Sequence, residues 1–188
     1  MENLRTFVAI KLPEELKERL ANLQIELSKT QADVRWVLPA NIHLTLKFLG
    51  YIEASLVPTL EHEYGLIARD LTPFGLEFYG TGTFPQKGAP RVIWIGCSGE
   101  LSRLKQLAAQ LDEVSKGLQI PTQDQPFTPH ITLGRVKSPR NISRLKEVLD
   151  HFKQTSWGQA RVDSFCLFKS QLRPEGPIYT CLKTFVFG

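Results

Sequence analysis

Two short stretches, Ile42-His43-Leu44-Thr45-Leu46 and His130-Ile131-Thr132-Leu133, carry one alternating pattern in the two halves of the chain. A sequence that writes the same half-buried strand twice is constrained to fold as two similar halves. Residues two apart on a strand share a face, so His43 and Thr45 lie on one side while Ile42, Leu44 and Leu46 fill the other. His130 and Thr132 pair in the same way, with Ile131 and Leu133 turned to the core. With four His and 13 Thr among 188 residues, chance predicts roughly 0.3 His-x-Thr occurrences. Both copies also carry flanking aliphatics, so an incidental histidine on a strand does not explain the pair.

The elements around the motifs follow the same duplicated order. Thr6 to Ile10 reads as a buried strand, and Pro13-Glu14-Glu15 opens a helix whose Leu16, Leu20, Leu23 and Leu27 form one apolar face. Val34 to Val37 is a short strand, Ile42 to Leu49 a longer one, and a helix covers about Glu53 to Arg69. Strands at Leu76 to Tyr79 and Arg91 to Gly96 are divided by the Gly- and Pro-rich stretch Gly80 to Pro90. A helix over Glu100 to Lys116, with Leu101, Leu104, Leu107, Leu111 and Val114 on one face, ends at Gly117 as its cap. A Pro-rich segment, Pro121 to Pro129, precedes a strand at His130 to Val136, a helix from about Ile142 to Phe152, and terminal strands near Ala160 to Lys169 and Ile178 to Phe187. Four helices and about eight strands, with no glycine-rich linker, predict an α+β protein of two similar lobes in one domain spanning 1–188.

Composition narrows the class. At 42% hydrophobic residues the chain buries a real core, which excludes a disordered or fibrous protein. Its 23 Lys and Arg against 19 Asp and Glu, net +4, with a pI near 9.0, favour anionic partners and permit nucleic acid. Cys97, Cys166 and Cys181 sit in apolar strand-like runs without zinc-type spacing and read as buried, reduced thiols. The N-terminus lacks the apolar run of a signal peptide, and no apolar run approaches the roughly 18 residues of a membrane helix. The expectation is a soluble, cytoplasmic protein.

Two imidazoles with two hydroxyls suit acid and base catalysis at phosphorus, where a nucleophile enters and an oxygen leaves on opposite sides. Histidine, with an ordinary pKa near 6.5, supplies a neutral base and a protonated acid around neutral pH. The Thr hydroxyls can donate to non-bridging oxygens. A metal site is the competing idea, but neither His stands in an H-x-H, H-E-x-x-H or Asp-rich context. No cysteine lies near either motif, which disfavours a thiol nucleophile.

The chain resembles the two-histidine (2H) phosphoesterases, specifically the LigT-like RNA 2′,3′-cyclic phosphodiesterases once described as 2′-5′ RNA ligases. The resemblance is carried by Arg5-Thr6-Phe7-Val8-Ala9-Ile10, Val34-Arg35-Trp36-Val37, Asn41 through Gly50, Pro126 through Arg135, Ser170-Gln171-Leu172-Arg173-Pro174 and Pro177-Ile178-Tyr179-Thr180. It implies a bilobal fold of two pseudo-twofold-related lobes, antiparallel sheet with outer helices, around a central cleft, and one H-x-T-x motif per lobe at 43–46 and 130–133. It implies opening of a 2′,3′-cyclic phosphate RNA end to a 2′-phosphate, with His43 as proton donor, His130 as proton acceptor, and Thr45 and Thr132 beside them. The implied partner is RNA with a cyclic phosphate end; no metal, cofactor, membrane or obligate protein partner enters this reading. The same site run backwards is a 2′-5′ RNA ligase. A small cyclic-nucleotide phosphodiesterase and a non-catalytic RNA-binding module also stay open on the sequence.

Arg135 corresponds to an arginine that approaches the phosphate in that family, yet strand parity counted from His130 turns it to the core unless Gly134 permits a bulge. Phe48 is a candidate for stacking on a base, and the same parity sends it to the core. Lys11 departs from the Asp that many relatives carry. His62 and His151 lie on helices outside any motif and read as surface residues, while Trp36, Trp94 and Trp157 read as core rather than platforms for RNA.

Overall fold

The computed structural model describes residues 2–121 and 126–188, so the Pro-rich segment expected at 121–129 lies partly outside the described residues. The first half runs β1 (Asn3–Lys11), α1 (Glu14–Ser28), β2 (Val34–Trp36), β3 (His43–Glu53), α2 (Val57–Arg69), β4 (Phe74–Phe84) and β5 (Val92–Gly99). The second runs α3 (Leu101–Gly117), β6 (His130–Val136), α4 (Ile142–His151), β7 (Ser156–Val162), β8 (Ser164–Gln171) and β9 (Ile178–Val186). Among the described residues the strands form one antiparallel sheet in the order β7-β4-β5-β6-β3-β1-β8-β9, with β2 beside β6. The fold class is α+β, as the periodicities predict.

Asp163 alone separates β7, at one end of that order, from β8, next to the other end. Consecutive Cα atoms are about 3.8 Å apart, so the sheet has to curl until its two ends nearly meet. Helices α2 and α3 pack against β9 and β3, while α1 and α4 pack against β7 and β4. Each side of the curled sheet therefore takes one helix from each half of the chain, and the core lies between these helices and the strands.

The helical faces form for the reasons their spacing gives. Leu16, Leu20, Leu23 and Leu27 of α1 are all buried, and Leu104, Leu107 and Leu111 of α3 are completely so. Three of the differences from expectation have a visible cause. Helix α3 runs through Gly117 and turns left-handed at Gln119, where the Gln119 N–H donates to the Lys116 carbonyl and the Ile120 N–H to the Ser115 carbonyl; this paired closure caps the helix two residues later. Strand β4 continues through Gly80 to Phe84 because its partner β5 keeps pairing as far as Phe84↔Val92. The run 160–169 is not one strand: Asp163 divides it between β7, paired with β4, and β8, paired with β1. A single apolar run hides such a division, since periodicity says nothing about which neighbour a strand chooses.

One charge is built into this framework. Lys47 of β3 is buried and pairs with Asp112 of α3, whose second oxygen accepts from Lys116 at 2.9 Å. A buried ammonium without its carboxylate is costly, whereas removing both charges is not. Asp112→Ala is expected to lower the unfolding free energy by about 2–4 kcal/mol in a urea titration. The double variant Lys47→Met/Asp112→Leu is expected to recover most of that loss.

Candidate active site

Strands β3 and β6 meet at Leu44↔Ile131. Stepping one residue either way along this antiparallel register sets His43 opposite Thr132 and Thr45 opposite His130, all on the face away from the core. Each histidine thus faces the threonine of the other motif, and the two histidines are diagonal neighbours, about 7–8 Å apart for such positions. The first residue of each strand is its histidine. Beyond that single pair β2 takes the place of β3 beside β6, at Gly134 to Val136, so the strands part company and leave a cleft above the Leu44–Ile131 pair.

The imidazoles are anchored alike. The His43 Nδ1 lies 2.7 Å from the Asn41 carbonyl and the His130 Nδ1 lies 2.7 Å from the Thr128 carbonyl, two residues back in each case. A carbonyl only accepts, so Nδ1 carries the hydrogen in both rings and Nε2 is the atom left to exchange protons. Aromatic walls hold the planes: Phe7 and Tyr179 stand 4.9 and 5.4 Å from His43, and Phe84 meets His130 edge-on at 5.0 Å.

Burial holds the His43 pKa below its ordinary value; the Asn41 hydrogen bond opposes this and the charge of Lys17 adds to it. In the free protein at neutral pH His43 is therefore mainly uncharged, and an anion in the cleft is what favours its protonation. An NMR titration of the ligand-free protein is expected to give His43 a midpoint below about 6.5, moving up when inorganic phosphate is added; a midpoint at or above that value contradicts the environment described. In the interval between that midpoint and the unfolded value the unfolded chain binds more protons, so stability falls as pH drops through it.

Both motifs end in a bulge at the same position. Thr45 faces Ala9 and Lys47 faces Val8, which leaves Leu46 unopposed; Thr132 faces Trp94 and Gly134 faces Ile93, which leaves Leu133 unopposed. An extra residue reverses the alternation beyond it. Phe48 and Arg135, each five residues after its histidine, are thereby turned to the cleft face. The expectation of a core Phe48 is corrected: its side chain is 42% exposed and lines both halves of the cleft. Arg135 is exposed and lines the His43 half. The reversal sends Lys47 inward to Asp112, and at the equivalent Gly134 a Cβ would meet the Val34 and Trp36 side chains at 2.7 and 2.9 Å. The missing side chain is what lets β2 lie against β6.

The cleft has two halves that share Thr45 and Phe48. The half beside His130, about 750 Å³, is walled by Phe84, Pro85, Phe127 and Val92, with Lys105 and Asp112 among its polar groups. The half beside His43, about 380 Å³, also contains Thr132, Arg5, Arg35, Lys137 and Arg173. The cationic cluster and the walls Phe7, Phe84 and Tyr179 come from separate strands and loops, and no local motif announces them; Arg5, Arg35, Arg173 and Tyr179 lie inside the stretches that carried the family resemblance. Trp36 is half-buried, packed against the core while also lining the cleft, and Trp157 is buried. His62 and His151 are exposed. Lys11 sits at the β1 end facing His43 and places its ammonium 5.9 Å from the Phe168 ring centre.

The cysteines are free, but only Cys166 is fully buried. Burial pushes the Cys97 thiol up to about 12, which makes it a poor nucleophile. No cluster of three or more His, Cys, Asp or Glu suited to a metal occurs among the described residues. No helix among them is long and apolar enough to cross a membrane.

Comparison with known proteins matches the LigT like Phosphoesterase family twice, over residues 10–94 and 95–179. The chain is a LigT-like phosphoesterase. The two matches each contain one H-x-T-x strand, in keeping with the repeated halves of the sheet. The RNA 2′,3′-cyclic phosphodiesterase of Methanothermobacter thermautotrophicus is 34% identical over 97% of this chain and 98% of its own. Among solved structures, a protein of Thermus thermophilus superposes with a TM-score of 0.82 at 33% identity, covering 98% of both chains. E. coli LigT complexed with 3′-AMP gives 0.80 at 29% identity, covering 99% of both. This LigT-like phosphoesterase therefore matches these relatives over nearly its whole given length.

Proposed function

We propose that this protein hydrolyses RNA 2′,3′-cyclic phosphate ends to 2′-phosphomonoesters, with His43 as the proton donor and His130 as the proton acceptor. The observation that carries the reading is the register at Leu44↔Ile131, which sets the two His-Thr pairs reciprocally on the floor of one cleft. The His130 Nε2 takes a proton from water as the water oxygen bonds to phosphorus. The P–O3′ bond breaks, and the His43 Nε2–H delivers its proton to the departing O3′. Thr45, Thr132 and Arg135 hold the non-bridging oxygens as charge builds on them, and Phe48 offers its exposed ring to the terminal base. The end-to-end likeness to relatives named RNA 2′,3′-cyclic phosphodiesterase supports the substrate. Two carbonyl-anchored imidazoles accomplish both proton transfers without a metal in the scheme.

The test is product analysis on an oligonucleotide ending in a 2′,3′-cyclic phosphate, incubated in EDTA. The expected product is a 2′-phosphate end. An intact cyclic end, a 3′-phosphate, or mostly RNA joined through a 2′-5′ linkage overturns the proposal.

A further inference from the structure

The halves of the cleft differ in chemistry more than one nucleotide requires. The His130 half is apolar and aromatic, which suits a terminal base. The His43 half gathers Arg5, Arg35, Arg135, Lys137 and Arg173 against one acid, Glu175, and none of these cations is in an ion pair among the described residues. Arg135 is assigned to the reacting phosphate, which leaves four cations for one small bay. Arg35, Lys137 and Arg173 are exposed at its outer side. Arg35 donates to the Pro174 carbonyl at 3.3 Å, and Asn41 donates to the Pro177 carbonyl at 2.7 Å. These bonds fasten the β8–β9 loop, which carries Arg173, across the bay onto the β2–β3 segment. Leu38 and Leu172, 52% and 63% exposed, stand on the same rim.

A cluster of like charges held together by the fold repels itself until an anion enters. Cations that alternate with exposed apolar side chains match a nucleic acid strand, which presents phosphates and bases in turn. We infer that the Arg5, Arg35, Lys137 and Arg173 bay binds the phosphodiester immediately upstream of the cyclic end, so that the enzyme selects RNA chains over mononucleotide 2′,3′-cyclic phosphates. The inference rests on the phosphodiesterase reading and adds to it a length requirement and the residues that impose it. Leu38 and Leu172 cover the penultimate base on the rim.

The experiment compares kcat/KM for three substrates: uridine 2′,3′-cyclic phosphate, a dinucleotide with the same cyclic end, and that dinucleotide with its internal linkage made a neutral methylphosphonate. The dinucleotide is expected to exceed the mononucleotide by about 10-fold or more, as charge-assisted contacts to one phosphate allow. The methylphosphonate is expected to lose most of that advantage, and rising salt to erode it with a slope near −0.7 per contacted phosphate. The Arg35→Ala/Arg173→Ala double variant is expected to bring the dinucleotide-to-mononucleotide ratio toward one. Equal kcat/KM for mononucleotide and dinucleotide, or a methylphosphonate as good as the phosphate, overturns the subsite while leaving the phosphodiesterase reading intact. No turnover of any of the three overturns both.

Discussion

His43→Ala and His130→Ala are each expected to lower kcat on a cyclic-ended RNA by about 10²–10⁴-fold, the range a positioned acid or base supplies. Neither imidazole supports the core: both rings lie on the cleft face and bond only to carbonyls two residues back, so the folded structure should survive both changes. The two losses are expected to differ in character. Without the donor at 43 the rate no longer falls as pH rises, and a substrate with a readily leaving aryl oxygen recovers part of the activity. Without the acceptor at 130 the acid-side fall disappears, and a better leaving group does not help. Rate-pH curves of both variants with both leaving groups check the assignment. The opposite pattern would exchange the two roles, and undiminished activity in either variant would refute the mechanism.

Arg135→Ala is expected to cost about 10²-fold in kcat/KM, comparable to removing one donor that stabilises developing charge. The guanidinium reaches the cleft face only because Leu133 is bulged out of the β5–β6 ladder, so the loss should be kinetic, with no change in the urea midpoint. Arg135→Lys keeps the charge but loses the forked pair of donors, and is expected to restore only part of the rate. Steady-state kinetics beside a urea titration decide it; equal losses in rate and stability would show a structural role instead.

Much of the architecture was readable from residue patterns. The leucine spacing of α1 and α3 and the alternation around both histidines report local periodicity, and local periodicity survives folding. Phe48 escaped the parity rule because a bulge is a two-strand event: Leu46 is extra only relative to Val8 and Ala9, and nothing at Leu46 itself marks it. The shared offset of five residues from His43 and His130 was the available sign, since it makes Phe48 and Arg135 one position in two copies. The division of 160–169 at Asp163 was hidden for a similar reason, as pairing partners far along the chain decide it. The basic bay and the aromatic walls assemble from residues as distant as Arg5 and Tyr179, which no window along the sequence brings together.

The exchange of elements between halves has a consequence for how the molecule is made. β6 joins β5 of the first half, β1 joins β8 of the second, and Tyr179 of β9 closes the wall of the first histidine. A nascent chain stopped after its first match to the family holds one H-x-T-x strand and no β6 to set beside it. Even one that has reached α4 lacks Phe168 and Tyr179, two of the rings packed around Phe7. Contacts this distant form late, so the site is complete only once β8 and β9 have been made, and a fragment ending at α4 is expected to show little activity on a cyclic-ended RNA.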